Sequence, residues 1–296
     1  MPKMKPMADP PHRAGVVALL GRPNAGKSTL LNRVLGSKLA IVTAKPQTTR
    51  SRILGILNRP HAQIALVDTP GRHQGTRPLN RALNEIVESV ARGCDVALLL
   101  VDRSRGWRET EAEIYGLLRE RAAPTLIVET KSDLSPAADR FAIPQGAEVV
   151  ALSARTGEGV NVLLDRVEAM LPESPPLYPP DDLSDRPLRF LGAECIREAV
   201  FEILEQEVPY AVAVEVEEWD ETRPERVHVR ANLLVERESQ KQIVIGRGGR
   251  VIREIGIRAR RDIEDLVGGP VHLDLWVKCE PKWSKRPKRL QALGYD

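Results

Sequence analysis

Gly21-Arg22-Pro23-Asn24-Ala25-Gly26-Lys27-Ser28 sets two glycines, a lysine and a hydroxyl at the spacing G-x-x-x-x-G-K-[ST], the pattern of a loop that wraps a polyphosphate. Gly21 and Gly26 let the backbone turn and approach phosphate without a Cβ in the way. The loop amides and those of the helix expected to follow, from Thr29 on, point at the anion, and the helix dipole adds favourable potential. Lys27 can reach the β- and γ-phosphates, and the Ser28 hydroxyl can ligate Mg²⁺. Downstream, Asp68-Thr69-Pro70-Gly71 offers a carboxylate suited to Mg²⁺, held directly or through water, and a glycine amide suited to a γ-phosphate. Between them lies a polar stretch with Thr48-Thr49. A hydroxyl there could complete the Mg²⁺ shell and order the loop only when a triphosphate is present; Thr49 is the candidate, with Thr48 left open. The chemistry implied is phosphoryl transfer, with Lys27, Thr49, Asp68 and Gly71 at its centre.

The chain around these residues reads as the scaffold such chemistry needs. Val16–Leu20 is a short apolar run that predicts a buried parallel strand, and Ser28–Leu35 closed by Gly36 predicts a helix. Strands are expected at Arg52–Leu57, Ile64–Val67, Asp95–Asp102, Pro124–Val128 and Val149–Leu152. Helices are expected at Pro78–Ala91, Arg108–Arg121 and Val160–Leu171. That alternation predicts an α/β domain with a doubly wound, mostly parallel sheet, its ligands at the carboxyl ends of the strands.

Two further motifs fall at such ends: Thr130-Lys131-Ser132-Asp133 and Ser153-Ala154-Arg155. Taken in order with the three above, they resemble the guanine-nucleotide motifs of a GTPase domain. The resemblance implies that Asp133 pairs with guanine N1 and N2, that Lys131 packs over the ring, and that the Ala154 amide meets O6. It implies bound GTP or GDP with Mg²⁺, and selection against adenine, which would leave polar groups unpaired. Two positions depart from the usual pattern. Thr130 stands where Asn is common, keeping one hydroxyl that can bridge to the phosphate loop. Arg72 stands where many GTPases carry a water-orienting Gln, so intrinsic hydrolysis is expected to be slow; a surface arginine is favoured over an arginine finger, and His73 is not expected to be catalytic.

Pro172 to Asp182 is dense in proline and acids and predicts an extended, semi-rigid linker. Beyond it the pattern predicts a helix at Leu188–Gln206, with Leu188, Leu191, Cys195, Ala199 and Ile203 on one face. A hairpin of strands Tyr210–Val216 and Arg226–Val235 follows, then a short helix Ser239–Ile245, the loop Gly246-Arg247-Gly248-Gly249, a helix Arg250–Val267 and a strand Val271–Val277. G-x-x-G alone is uninformative; between two helices and after Ile245 it resembles the RNA-clamping loop of a prokaryotic (type II) KH domain. Ile245, Gly246, Arg247, Gly248, Gly249, Arg250 and Arg253 are the RNA-binding candidates, while Arg258, Arg260 and Arg261 have acidic neighbours that could absorb their charge. In the tail, Lys282-Trp283-Ser284-Lys285-Arg286-Pro287-Lys288-Arg289 mixes cations with one aromatic. It could attract phosphate and stack a base on Trp283, serve only solubility, or touch anionic lipid.

A GTPase domain (13–172), a linker (173–187), a KH domain (188–281) and a basic tail (282–296) together resemble the Era family of ribosome-assembly GTPases. The resemblance implies binding of the 3′ end of 16S-type small-subunit rRNA during 30S maturation, favoured by GTP and released by hydrolysis. Two readings of other classes remain: an RNA-binding module whose nucleotide site is sensory with negligible turnover, and a P-loop ATPase or kinase, against which Lys131 and Asp133 argue.

Composition sets the outer limits. The chain of 296 residues is 42% hydrophobic and 29% charged with a net charge of +3, which fits a globular protein and excludes a disordered one. The longest strong apolar run, Val96–Val101, is far too short to cross a bilayer. The basic N-terminus lacks an apolar signal core, and Cys94, Cys195 and Cys279 have neither metal nor disulfide spacing, so a cytoplasmic protein is expected, with a peripheral station at the inner face of the cell membrane as the lesser alternative. Nothing asks for an obligate protein partner, and a monomer is expected.

Overall fold

The computed structural model describes residues 11–43, 45, 49, 51–72, 78–136, 143–222 and 225–293. Thr48, His73 and the turn residues Arg223 and Pro224 lie outside the described residues. The first part runs β1 (Arg13–Gly21), α1 (Lys27–Leu35), β2 (Ile53–Arg59), β3 (Ala62–Asp68), α2 (Pro78–Gly93), β4 (Val96–Asp102), α3 (Glu109–Glu120), β5 (Thr125–Thr130), β6 (Val149–Ala151) and α4 (Val160–Met170). The six strands lie in the order β2-β3-β1-β4-β5-β6. All pairs are parallel except β2 with β3. Every residue of β3 and β4 is buried, because helices cover both faces of the sheet. β1 connects toward β3 and β4 toward β5, on opposite sides. A crevice therefore opens beyond the carboxyl ends of β1 and β4, where the Gly21–Ser28 loop and Asp102 sit.

Residues 173–187 do more than span a gap. Gln63, buried at the start of β3, accepts from the Leu177 and Tyr178 amides at 2.7 and 2.9 Å and donates to the Tyr178 carbonyl at 2.9 Å. The Ile56 amide donates to Leu183 O at 2.9 Å, and the Ser184 hydroxyl to Leu54 O at 2.6 Å. The proline-rich segment thus straps the exposed edge of β2, which would otherwise offer a row of unpaired amides and carbonyls.

The second part comprises α5 (Leu188–Ile203), β7 (Ala213–Asp220), β8 (Val227–Val235), α6 (Glu238–Ile245), α7 (Arg250–Val267), β9 (Val271–Cys279) and α8 (Pro287–Ala292). β8 is central, antiparallel to β7 with a bulge at Val216/Glu218 and parallel to β9. Its core joins Cys195, Ile196, Ala199 and Val200 of α5 to Ile255, Ala259 and Ile263 of α7 and to Val229, Ala231 and Leu233 of β8. Leu188, expected on the buried face of α5, is 39% exposed, since it occupies the first turn, before the helix reaches the sheet. Tyr210, expected in a strand, lies in a 3₁₀ turn, Pro209–Ala211, because Pro209 withholds the amide a ladder would need.

The C-terminal segment corrects an expectation. Trp283 is 2% exposed and packs on Ala213 and Leu234, with Leu290 and Leu293 of the α8 region beside it. It cannot stack an RNA base. Ala213 and Leu234 point away from the α5–α7 core because alternate side chains of a strand face opposite sides; the tail folds back to cover them. Arg289 locks the fold-back through Glu215 at 2.6 Å and Glu280 at 2.8 Å.

Candidate functional site

The phosphate loop takes the conformations its glycines were expected to supply. Gly21 has φ +144°, and a Cβ there would lie 2.5 Å from Leu100 O; Gly26 has φ +95° as the residue that starts α1. Lys27 is 5% exposed and curls onto its own loop, donating to Gly21 O at 3.2 Å and Arg22 O at 2.9 Å. Burial pulls its ammonium down to about 8, with Asp68 and Glu111 drawing it back up. Such a desolvated cation is primed for an anionic ligand.

Beside it, three oxygen donors converge. The Ser28 hydroxyl donates to Asp68 Oδ2 at 2.6 Å and lies 3.2 Å from Thr49 Oγ1. Asp68 is fully buried at the end of β3, and among the described residues its Oδ1 has no hydrogen-bond partner. Burial raises its carboxyl to about 6, opposed by Lys27 and by the Ser28 hydroxyl. A buried carboxylate with an orphaned oxygen, next to two hydroxyls, is a hard-oxygen donor set that fits Mg²⁺. Gly71 packs so closely under the loop that a Cβ would lie 2.4 Å from Pro23 N. Thr69 turns inward, its hydroxyl donating to Leu19 O at 2.7 Å. It and the buried Pro70 shape this loop from beneath.

Arg22 behaves differently from its neighbours. Its guanidinium leaves the cleft, donating to Glu111 on α3 and, at 3.0 Å, to Gly106 O. Only its backbone faces a ligand. Arg72 also turns to α3, 3.3 Å from Glu113, while its amide donates to Gly21 O at 3.3 Å. The sequence favoured a solvated surface arginine over an arginine finger; the side chain is instead half-buried and paired on α3.

The base-reading candidates gather beyond the ends of β5 and β6, where Lys131 also lines the cleft. The Thr130 hydroxyl lies 2.8 Å from Ala25 O and 3.2 Å from Val101 O. It thereby ties the end of β5 to the phosphate loop, as one retained hydroxyl permits. Lys131, at φ +59°, bonds Asp102 Oδ2 at 2.6 Å. Asp133 accepts from the Ser153 hydroxyl at 2.6 Å and pairs with Arg155 at 2.8 Å, and the Ser153 bond is the leading reason its carboxyl is held below the usual range. Ala154 is buried beside them. Asn24, Lys27, Thr29, Thr49, Gly71 and Lys131 line one cleft of about 320 Å³. So does Arg105, which sequence reasoning missed. Asp102 was legible only as the polar end of an apolar strand, and nothing local announced its bond to Lys131.

A second candidate lies at the junction of α6 and α7. Gly246 (φ +70°) has no room for a side chain, since a Cβ would meet Val251 at 2.4 Å. Gly248 (φ +63°) and Gly249 (φ +77°) have nothing within 4 Å of a Cβ position, so their backbone is open to a ligand. Arg247, Arg250 and Arg253 are exposed around this loop and Ile245 is half-buried at its entrance. Farther along α7, Arg258 pairs with Glu202 at 2.9 Å and Arg260 with Glu264 at 3.7 Å, so acidic neighbours do absorb those charges. Among the described residues no helix is long and apolar enough to cross a membrane.

Residues 16–131 match the family described as 50S ribosome-binding GTPase, and residues 207–284 match the KH domain family. GTPase Era of Geobacter metallireducens is 44% identical over 297 residues, covering 98% of this chain and 100% of that protein. GTPase Era of Geotalea uraniireducens is 42% identical with the same coverage. A crystal structure of Era in complex with MgGDPNP and nucleotides 1506–1542 of 16S ribosomal RNA superposes with a TM-score of 0.89 at 37% identity, covering 96% of this chain and 99% of the other. With such identity held from end to end, the chain belongs to the Era family of GTPases.

Proposed function

We propose that this protein binds and hydrolyses GTP with Mg²⁺ and binds the 3′ end of 16S-type rRNA through its KH loop during assembly of the small ribosomal subunit. The observation that carries the reading is the convergence of Ser28, Thr49 and the orphaned Asp68 oxygen beside the buried Lys27, in one chain with an open Gly248–Gly249 backbone. Ser28, Thr49 and Asp68 would hold Mg²⁺, which when bound neutralises charge on the phosphates. Lys27 and the amides of Arg22 to Thr29 would stabilise charge developing toward the β–γ bridge, and Gly71 would present its amide to the γ-phosphate. Asp133, Lys131, Ser153, Ala154 and Arg155 would read guanine. Intrinsic turnover is slow on this reading, because Arg72 is tied to Glu113 and places no side chain on an attacking water. Residues 13–172 form the catalytic unit, 173–187 the strap and 188–281 the RNA unit, with the tail folded onto the latter. The site of action is the cytoplasm. A contact with anionic lipid has less support, as Arg286 and Arg289 are both paired with Glu280.

The test compares steady-state GTP hydrolysis, with and without small-subunit RNA, in wild type and Gly248→Asp. A carboxylate on the open loop repels phosphate, and RNA affinity is expected to drop about a hundredfold with basal hydrolysis unchanged. RNA affinity within about twofold of wild type would remove the KH loop from the reading.

A route for coupling the two sites runs through the segment between α1 and Thr49. Lys38 lies 3.1 Å from Glu198 on α5 and 2.8 Å from Asp262 on α7. The Val42 amide donates to Glu198 at 3.4 Å, and Lys45 donates to the Phe201 and Leu204 carbonyls that end α5. A loop that the γ-phosphate reorders would pull on this contact. It also has a pH signature. Burial pushes the Glu198 carboxyl up to about 7, against Lys38 and with Asp262 and Glu202 adding repulsion. The folded state therefore holds a proton that the unfolded chain has lost, and ionising Glu198 costs stability as pH rises from about 4.5 through 7. Glu198→Gln is expected to match wild type near pH 5 and to exceed it by on the order of 2 kcal/mol at pH 8 in urea unfolding; a pH-independent difference would refute this.

A further inference from the structure

The helix that begins at the phosphates also reaches the base-reading loop. Arg33 lies in the last turn of α1, six residues beyond Lys27 and so about 9 Å along the axis. Its Nε donates to Ala154 O at 2.7 Å and its second nitrogen to Arg155 O. Each bond has a consequence on the far side of a peptide plane, because the C=O and N–H of a trans peptide point in opposite directions. With Arg155 O drawn toward Arg33, the Thr156 N–H faces away and donates to Ser153 Oγ at 3.2 Å. That hydroxyl in turn donates to Asp133 Oδ1 at 2.6 Å. An unbroken chain thus runs from Arg33 through the 155–156 peptide and Ser153 to the carboxylate placed to read guanine. The loop itself is tightly wound, with the Ser153 amide on Glu158 O at 2.9 Å and the Gly157 amide on Ser153 O at 2.8 Å. Arg33 is its tie to α1.

Asp133 Oδ1 is therefore committed to the chain, while Oδ2 is held by the exposed Arg155. In such a chain each bond polarises the next, so the first donor affects the orientation of the last acceptor.

We propose that Arg33 is a positioning residue for guanine recognition: it orients Asp133 and the Ala154 loop without touching the nucleotide, coupling the base-reading end of the cleft to the helix that carries Lys27 and Ser28. The inference rests on the reading of the cleft as a guanine-nucleotide site.

The experiment uses the intact chain with Mg²⁺ and a fluorescent GDP displaced by unlabelled GDP, by IDP (which keeps O6 and lacks the 2-amino group) and by ADP. Wild type should prefer GDP to ADP strongly. In Arg33→Ala, an exposed replacement on the helix surface, GDP affinity is expected to fall about tenfold, the GDP-over-IDP preference to shrink, and ADP binding to stay as it was. Arg33→Lys, which can satisfy one carbonyl at a time, should fall between. Equal weakening toward all three nucleotides would mean that Arg33 only supports the fold, and unchanged GDP affinity would mean that the chain of bonds is idle; either overturns the proposal. A wild type that fails to prefer GDP over ADP would overturn the guanine reading itself, a result distinct from both.

Discussion

Lys27→Ala is expected to lower GTP turnover by about 10³-fold or more while the chain still folds, because the lysine stabilises charge that grows only as the γ-phosphate departs. Lys27 is 5% exposed, and among the described residues its ammonium donates to the Gly21 and Arg22 carbonyls. Burial holds its ammonium near 8, so it is charged at neutral pH yet poorly solvated. Phosphate oxygens replace water that the loop has excluded, and in that low-polarity setting the attraction is far stronger than at a surface. Removing the side chain also takes away the cation that opposes burial at Asp68, whose carboxyl already stands at about 6 and would rise further. A second effect follows: the variant should need more Mg²⁺ for the turnover that remains. Phosphate release at saturating GTP, followed across Mg²⁺ concentration, measures both. A loss of less than about tenfold would show that the loop amides alone carry the transition-state charge.

Glu111→Ala should be the most destabilising single change in the nucleotide domain, at about 3–5 kcal/mol. Glu111 is fully buried on the first turn of α3, with one oxygen on Arg22 and the other accepting the Arg108 amide at 3.0 Å. Its loss strands the Arg22 guanidinium in a partly buried place and opens the start of α3. Glu111→Gln keeps the shape and the amide bond, so it should cost less. The double variant Arg22→Met, Glu111→Met should recover much of the loss, since an apolar pair avoids the desolvation of both charges. Urea unfolding of wild type, Arg22→Met, Glu111→Met and the double variant completes the cycle. Independent, additive effects would show that the two groups do not form one unit. Because Arg22 sits inside the phosphate loop, the double variant is also expected to bind GDP more weakly than its recovered stability suggests.

Much of this protein is legible in its sequence. Strand, glycine loop and helix fall at β1 and α1 to within three residues of the expected bounds, and the helices flanking Gly246–Gly249 to within one. These elements announce themselves because their signals are short-range: alternation or 3.6-residue periodicity, a terminal glycine, a proline. The retained Thr130 hydroxyl was likewise read correctly as a bridge to the phosphate loop. Trp283 failed for an instructive reason. A tryptophan among lysines and arginines looks like a stacking platform, and nothing within ten residues says that Ala213 and Leu234 lie bare on the open face of a sheet. The linker is extended as expected, but its pairing is hidden for the same reason. Its prolines forbid helix and central strand, but that it pairs with the edge of β2 depends on Gln63 and Leu54, more than a hundred residues earlier.

By itself, then, the sequence determined which backbone segments turn on glycines at a helix start, which polar residues fall at the carboxyl ends of the strands and where a glycine loop lies open between two helices. Those capacities reside in local spacing, where glycines and helix starts set the geometry within a few residues. The tertiary structure alone decided what holds them in place. Arg22 meets Glu111 across 89 residues, Arg33 meets Ala154 across 121, and Lys38 meets Asp262 across 224. Such pairings come from folding a chain whose charged side chains have many candidate partners of equal local merit. Burial selects among them, because only a partner at the same depth can offset the cost of leaving water.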